Sequence, residues 1–138
     1  MDNLLARQVI ALRKSVLKWE KIVSTLEDPT RLTVIEKGGE DCACCREFLE
    51  SDLENCKGCP VREKTGESLC WGSPYDSWGR ALRGSRMYKD TDYTYFLDTS
   101  RRKVLTGLAK NELKFLQSLL KTKEKEVLKT IAQLEKLL

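Results

Sequence analysis

Residues 3–27 read NLLARQVIALRKSVLKWEKIVSTLE. Leu5, Val9, Leu12, Val16, Trp19, Val23 and Leu26 recur in steps of four and three, which keeps them on one stripe of an α-helix. Arg7, Lys14, Lys18 and Lys21 lie off that stripe. The spacing predicts an amphipathic helix over 3–27. Asp28-Pro29 ends it, because proline cannot continue the hydrogen-bond ladder and disfavours helix in the residue before it. An apolar stripe of this length needs a cover, and its match lies at the other end of the chain. There Leu113, Leu116, Leu120, Val127, Ile131, Leu134 and Leu138 fall on one face, with a polar interruption at Lys123-Glu124. Asn111 is the expected N-cap of this second long helix. Thr106 and Gly107 suggest a short helical turn before it, so the C-terminal helical region covers 106–138.

The predicted fold class is therefore mainly α: two long terminal helices with a loop-rich insertion, in a single domain of 138 residues. The matching stripes can be covered in two ways. The helices can pack on each other as an antiparallel hairpin within one chain. Alternatively, the C-terminal helix, whose stripe lasts about four heptads, can pair with a second copy as a coiled-coil homodimer.

Between the helices, Leu32, Val34 and Ile35 suit a short strand before Gly38-Gly39. Residues 40–78 hold all six cysteines together with Gly58, Pro60, Gly66, Gly72 and Pro74. Only residues 46–53 look briefly helical there. A segment of this composition buries too little apolar surface to order itself without a cross-link. Residues 79–104 read as a basic and aromatic linker. Within it Tyr93, Tyr95 and Leu97 alternate with Thr94, Phe96 and Asp98, which permits a short strand or hairpin.

Charge is unevenly spread. Residues 36–56 carry seven acids against two bases, whereas from Arg80 to Lys125 the sign reverses. Arg7, Arg13, Lys14 and Lys18 interrupt every early apolar run, so no signal peptide is expected, and no stretch approaches the roughly 18 apolar residues of a membrane span. The expected location is the cytoplasm, where six cysteines are better read as metal ligands than as disulfides. The chain has no histidine. That excludes histidine-based hydrolysis and mixed cysteine–histidine zinc sites. With no paired-carboxylate motif either, the chain is not expected to be an enzyme.

Cys42 and Cys45 make one C-x-x-C pair, Cys56 and Cys59 a second, with ten residues between them; Cys70 follows after another ten. A C-x-x-C turn lets two thiolates reach one ion while backbone amides bond the sulfurs, and Gly58 suits the tight turn. Two such pairs close a tetrahedral four-thiolate shell around zinc, leaving no water to activate, so the expected role is structural. The ligands expected are four of Cys42, Cys45, Cys56, Cys59 and Cys70, with Cys70 replacing Cys42 if it replaces any. Cys44 is the bystander. An iron–sulfur cluster is the rival cofactor, since Cys59-Pro60 matches the end of ferredoxin motifs, although the C-x-x-C-x-x-C run is missing. Buried or free thiols are the alternative to any metal, but such cysteines usually sit in apolar runs, not among glycines and charges.

Asp41-Cys42-Ala43-Cys44-Cys45, Cys56-Lys57-Gly58-Cys59-Pro60-Val61, Thr65-Gly66 and Cys70 followed by Pro74-Tyr75 and Trp78, together with Lys18-Trp19-Glu20, carry a resemblance. Over roughly residues 10–78 the chain resembles a group of small, cysteine-rich, uncharacterised proteins of phages and other prokaryotic viruses. The resemblance implies that Cys42, Cys45, Cys56, Cys59 and Cys70 matter and that Cys44 is extra; a viral chain would act in the host cytoplasm. It implies no activity. Gly72-Ser73 before the Pro-Tyr pair departs mildly from the group's pattern.

Two surfaces remain. Trp71, Pro74, Tyr75 and Trp78 follow Cys70 and are expected to cover the cysteine turns and link them to the helices, the other use being a peptide- or base-stacking surface. Arg80, Arg83, Arg86, Lys89, Arg101, Arg102 and Lys103 are interleaved with aromatic residues, the composition of a nucleic-acid contact surface, although charge runs are more often plain solvated faces. Lys64-Thr65-Gly66 lacks the order of a phosphate loop. The reading is a metal-scaffolded module that binds a protein partner or a second copy of itself, with nucleic acid as the alternative partner and no membrane role.

Overall fold

In a computed structural model, the residues described are 3–37, 42–48, 56–67, 70, 72–83, 88–89 and 94–138. Helix α1 spans Asn3–Glu27, as its stripe predicts, and is followed by strand β1, Thr33–Ile35. Three short helices come next: α2 (Ala43–Phe48), α3 (Pro60–Thr65) and α4 (Pro74–Arg83). Strands β2 (Tyr88–Lys89) and β3 (Thr94–Phe96) precede the long helix α5, Thr99–Glu135. The protein is mainly α, with α1 and α5 packed together and the short elements inserted between them.

The α1–α5 pair is an antiparallel hairpin. Lys110 Nζ reaches Glu27 at 3.2 Å at one end, and Arg13 reaches Glu124 at 2.6 Å further along. Between them Leu12, Val16, Trp19, Val23 and Leu26 meet Leu105, Ala109, Leu116 and Leu119 in one core. Arg102 locks the end of α1: its guanidinium donates to the carbonyls of Leu26 (2.9 Å), Asp28 (3.0 Å) and Arg31. The Leu26 oxygen sits where the helix has run out of its own amide donors, and those of Asp28 and Arg31 lie just beyond it.

Helix α5 starts earlier than the sequence predicts. Its N-cap is Asp98, whose side chain accepts the Arg101 amide at 2.7 Å, and Asn111 is an exposed mid-helix residue. Gly107 stays helical although glycine costs about 1 kcal/mol there relative to alanine. Burial of Leu105 and Ala109 against α1 outweighs that penalty. The buried face is also displaced from the predicted one: it runs through Leu105, Ala109, Glu112, Leu116 and Leu119. At 37 residues α5 is about 55 Å long against about 37 Å for the 25 residues of α1, so its end overhangs. Ile131, Leu134, Leu137 and Leu138 are exposed there.

Residues 79–104 are not a linker. Helix α4 runs through Arg83, and α5 takes the segment up again at Thr99. The strands form one three-stranded antiparallel sheet in the order β1-β3-β2, with Thr33 opposite Phe96 and Tyr88 opposite Tyr95. The predicted brief helix over 46–53 is α2, which begins at Ala43; residues 49–53 lie outside the described residues. The sequence reading missed α3 and α4. Each begins with a proline at its first helical position, after Cys59 and Ser73, a placement that proline's fixed φ and missing N–H favour.

Candidate metal centre

The three short helices carry the cysteines to the side of α1. Cys42 stands just before α2 and its carbonyl accepts the Arg46 amide at 2.9 Å, while its sulfur accepts the amide of Cys45. Cys59 is the N-cap of α3; its carbonyl accepts the Glu63 amide at 3.0 Å and its sulfur accepts the amides of Val61 and Arg62. Cys70 opens the turn into α4, its carbonyl accepting the Ser73 amide at 3.2 Å and the Ser73 hydroxyl at 2.7 Å.

Two chains of thiol contacts result. In one, Cys42 donates to Cys45 and Cys45 donates to Cys70. In the other, the Ser15 hydroxyl donates to the Cys44 sulfur at 3.6 Å and Cys44 donates to Cys59. The two chains feel each other's charge, Cys44 that of Cys42 and Cys45 that of Cys59. Cys56 is buried and part of the same core, but its contact with the cluster is through the backbone, its carbonyl accepting the Cys59 amide at 2.9 Å.

This neighbourhood divides the thiols electrostatically. Donation to Cys45, then burial, pushes the Cys42 thiol well above its ordinary range. Donation to Cys59 and burial do the same to Cys44. Cys45 is lowered by accepting from Cys42, yet its own donation to Cys70 and its burial carry it to about 12. Cys59 moves the other way, to about 7: it accepts from Cys44 and from two backbone amides, which together outweigh burial.

The backbone is strained at the same place. Among the described residues, the non-glycine positions with positive φ are Cys56 (50°) and Cys70 (64°). The left-handed region costs an L-residue about 1–2 kcal/mol. Gly58 in the intervening turn has φ of 86°, and a Cβ there would meet Leu4 at 3.1 Å and Phe48 at 3.4 Å, so glycine is required both for the turn and for its packing on α1 and α2. Gln8 ties that turn to α1 by donating to the Gly58 carbonyl at 2.9 Å, and Lys123 of α5 holds Glu63 at 3.1 Å.

Of the five cysteines picked out from spacing, the structure thus puts Cys42 against Cys45 and Cys45 against Cys70, while Cys59 is linked to these three only by the charge it exerts on Cys45. Cys56 lies beside them, and Cys44, set aside as a bystander, contacts Cys59 directly. The thiols point at one another in pairs. Among the described residues, no group of three or more cysteine, aspartate or glutamate side chains is placed so that it could hold a metal ion.

Beneath the thiols lies a polar network that the sequence reading did not identify. Glu36, only 2% exposed, accepts from Lys18 Nζ at 2.8 Å and from Trp78 Nε1 at 2.9 Å. Trp78 is fully buried and crosses Trp19 edge-on at 5.1 Å, and Tyr75 does so at 6.0 Å. These two aromatics therefore fasten α4 to α1, as expected of them; Trp71 lies outside the described residues. Glu112 of α5 is 5% exposed and its Oε1 has no hydrogen-bond partner. Burial, reinforced by the nearby Cys42 and Glu36 and opposed by Lys18, raises its carboxyl to about 8. The one sequence signal for this network was a glutamate just past a strand of apolar residues, too common to single out.

Of the four basic residues of the predicted nucleic-acid surface whose side chains are described, three are occupied within the fold. Arg80 pairs with Asp76 at 3.2 Å, Arg101 donates to the Phe96 carbonyl at 3.0 Å, and Arg102 holds the end of α1. Lys103 is exposed. Arg86 and the side chains of Arg83 and Lys89 lie outside what is described. Among the described residues, no helix is long and apolar enough to cross a membrane. No known protein family matches the chain, and neither a curated protein nor a solved structure does.

Proposed function

We propose that the cysteine cluster is a structural zinc centre and that the protein is a non-catalytic module for binding another protein. One observation carries the metal reading: five of the six thiols, from three segments of the chain, interact in two neighbouring, partly buried chains of contacts where backbone amides already bond two of the sulfurs. Two strained cysteine backbones at the same place support it, because strain persists only where something offsets it. The donor set is all thiol, which suits zinc or an iron–sulfur cluster and no hard cation. Cys42, Cys45, Cys59 and Cys70 would be the ligands. When bound, zinc supplies folding free energy and no open position for chemistry. Protons leave the thiols on binding, and the residues that would receive the resulting negative charge are in place: the Val61 and Arg62 amides at Cys59, the Cys45 amide at Cys42 and the Lys18 ammonium nearby.

The test is elemental analysis with an absorption spectrum on protein purified without air. One zinc per chain and no colour supports the reading. Brown protein containing iron and sulfide transfers the site to the iron–sulfur alternative. Protein without metal, with the same helical content and stability before and after added zinc, retires it.

A further inference from the structure

Among the described strands, β1 has a neighbour on one side only. The register says which groups it presents there. The Leu97 amide donates to the Leu32 carbonyl at 2.9 Å, and Val34 stands opposite Tyr95. Hydrogen bonds to one neighbour alternate along an antiparallel strand. Leu32 and Val34 therefore face β3, while Thr33 and Ile35 turn their amides and carbonyls outward. Among the described residues these two donors and two acceptors have no partner. Beside them is a groove of about 500 Å³ between β1 and α1, lined by Lys18, Lys21, Ile22, Arg31, Thr33 and Ile35 among others, with no acidic residue among the described residues that line it. Lys18 is engaged by Glu36 and Arg31 lies 3.8 Å from Asp28, whereas Lys21 has no ion pair among the described residues. Ile35 is 55% exposed on the strand itself.

An unpaired strand edge is a template for another strand. The charges that line the groove here are cations, which guard the edge against a basic strand but favour an acidic one, and the strand carries an exposed isoleucine and no proline. We propose that this edge docks an extended acidic segment of a partner protein, added beside β1 as a further strand. Backbone hydrogen bonds to Thr33 and Ile35 supply the alignment, and Lys21 and Arg31 select for carboxylates. The proposal rests on reading the chain as a protein-binding module, not on the metal content of the cysteine cluster. Metal can therefore be present while docking fails, and the two readings fall separately.

The probe is an end-capped, fluorescently labelled heptapeptide alternating glutamate and valine, followed by anisotropy with the whole chain at about 50 mM salt. Saturable binding is expected, with no binding of the lysine–valine counterpart. Lys21→Glu with Arg31→Glu is expected to weaken it by about tenfold or more. Ile35→Pro deletes only an outward amide and leaves the bonds to β3 intact, so it is expected to weaken binding while circular dichroism and melting stay unchanged. On the unaltered protein, methylating alternate amides of the peptide is expected to abolish binding. No binding up to about 1 mM, or equal binding of the methylated peptide, overturns the proposal. So does a short oligothymidine that occupies the groove and is weakened by the charge reversals but not by Ile35→Pro, since the surface would then recognise nucleic acid.

Discussion

Arg102 sits in the basic run that the sequence offers as a nucleic-acid contact, but in the structure it performs a folding task, and Arg102→Met separates the two roles. Methionine keeps most of the aliphatic stem and removes the guanidinium. Three carbonyls at the end of α1, those of Leu26, Asp28 and Arg31, lose the guanidinium, although that of Asp28 keeps the Arg31 amide at 3.1 Å. A hydrogen bond to a charged group contributes about 1.5–3 kcal/mol when buried. Arg102 is only partly buried, which argues for about 1 kcal/mol apiece and about 2–3 kcal/mol in total. For a chain of this size 1 kcal/mol moves the melting temperature by about 3 °C, so the variant should melt about 6–9 °C lower. The assay is thermal unfolding followed by far-ultraviolet circular dichroism at neutral pH, with Lys103→Met as the comparison. Lys103 is exposed and should shift stability by less than about 0.5 kcal/mol. If the two variants melt together, the clamp contributes nothing and Arg102 returns to the pool of residues available to a partner.

Trp78→Phe removes the donor to Glu36 and part of the ring that crosses Trp19, and should lower stability by about 2–4 kcal/mol in urea unfolding; a loss under about 1 kcal/mol would mean Glu36 is satisfied without it. Cys44→Ser, which the spacing argument treats as silent, should instead lower stability by about 1–2 kcal/mol, because it alters a buried thiol between Ser15 and Cys59; bound zinc should be retained, and its loss would make Cys44 a ligand. For Glu112, a folded-state pKa of about 8 against about 4.3 in the unfolded chain means the folded state holds a proton that the unfolded state has released. Its contribution is fully present below about pH 4 and is lost as pH rises to about 8, with a slope of up to about 1.4 kcal/mol per pH unit. Glu112→Gln should therefore gain stability relative to the parent as pH rises through that window, and parallel stability curves for the two proteins would refute the buried, protonated carboxyl.

What was legible in the sequence was whatever depends on neighbours along the chain. The 3.6-residue stripe of α1 and its stop at Asp28-Pro29 are local, so its limits could be read directly. Alternation over 94–96 marked β3 for the same reason. Helix α5 was misplaced at its start because Gly107 and Asn111 are local signals for an end and a cap, while the burial of Leu105 and Ala109 that overrides them depends on α1, almost 80 residues away. The buried face of α5 shifted for the same cause: several stripes on that helix are apolar, and only the position of α1 selects one. Two proline-started helices lay in plain view at Pro60 and Pro74, hidden by a composition that reads as loop.

The cysteines divide along the same line. Their number, their C-x-x-C spacing and the absence of histidine follow from the sequence, and with them the chemistry that the site can and cannot do. Which thiols meet does not follow, because spacing describes a turn and not where the turn is carried. Tertiary packing placed α2 and α3 so that Cys44 meets Cys59, across 14 residues of chain, and turned Cys56 to contribute its carbonyl. It also set Glu36 between Lys18 and Trp78, drew Arg102 onto the end of α1, and, among the described strands, gave β1 a neighbour on one side only. The contacts of Cys44, Glu36 and Arg102 join residues far apart in sequence, fixed by how apolar faces bury one another, and no local pattern encodes them.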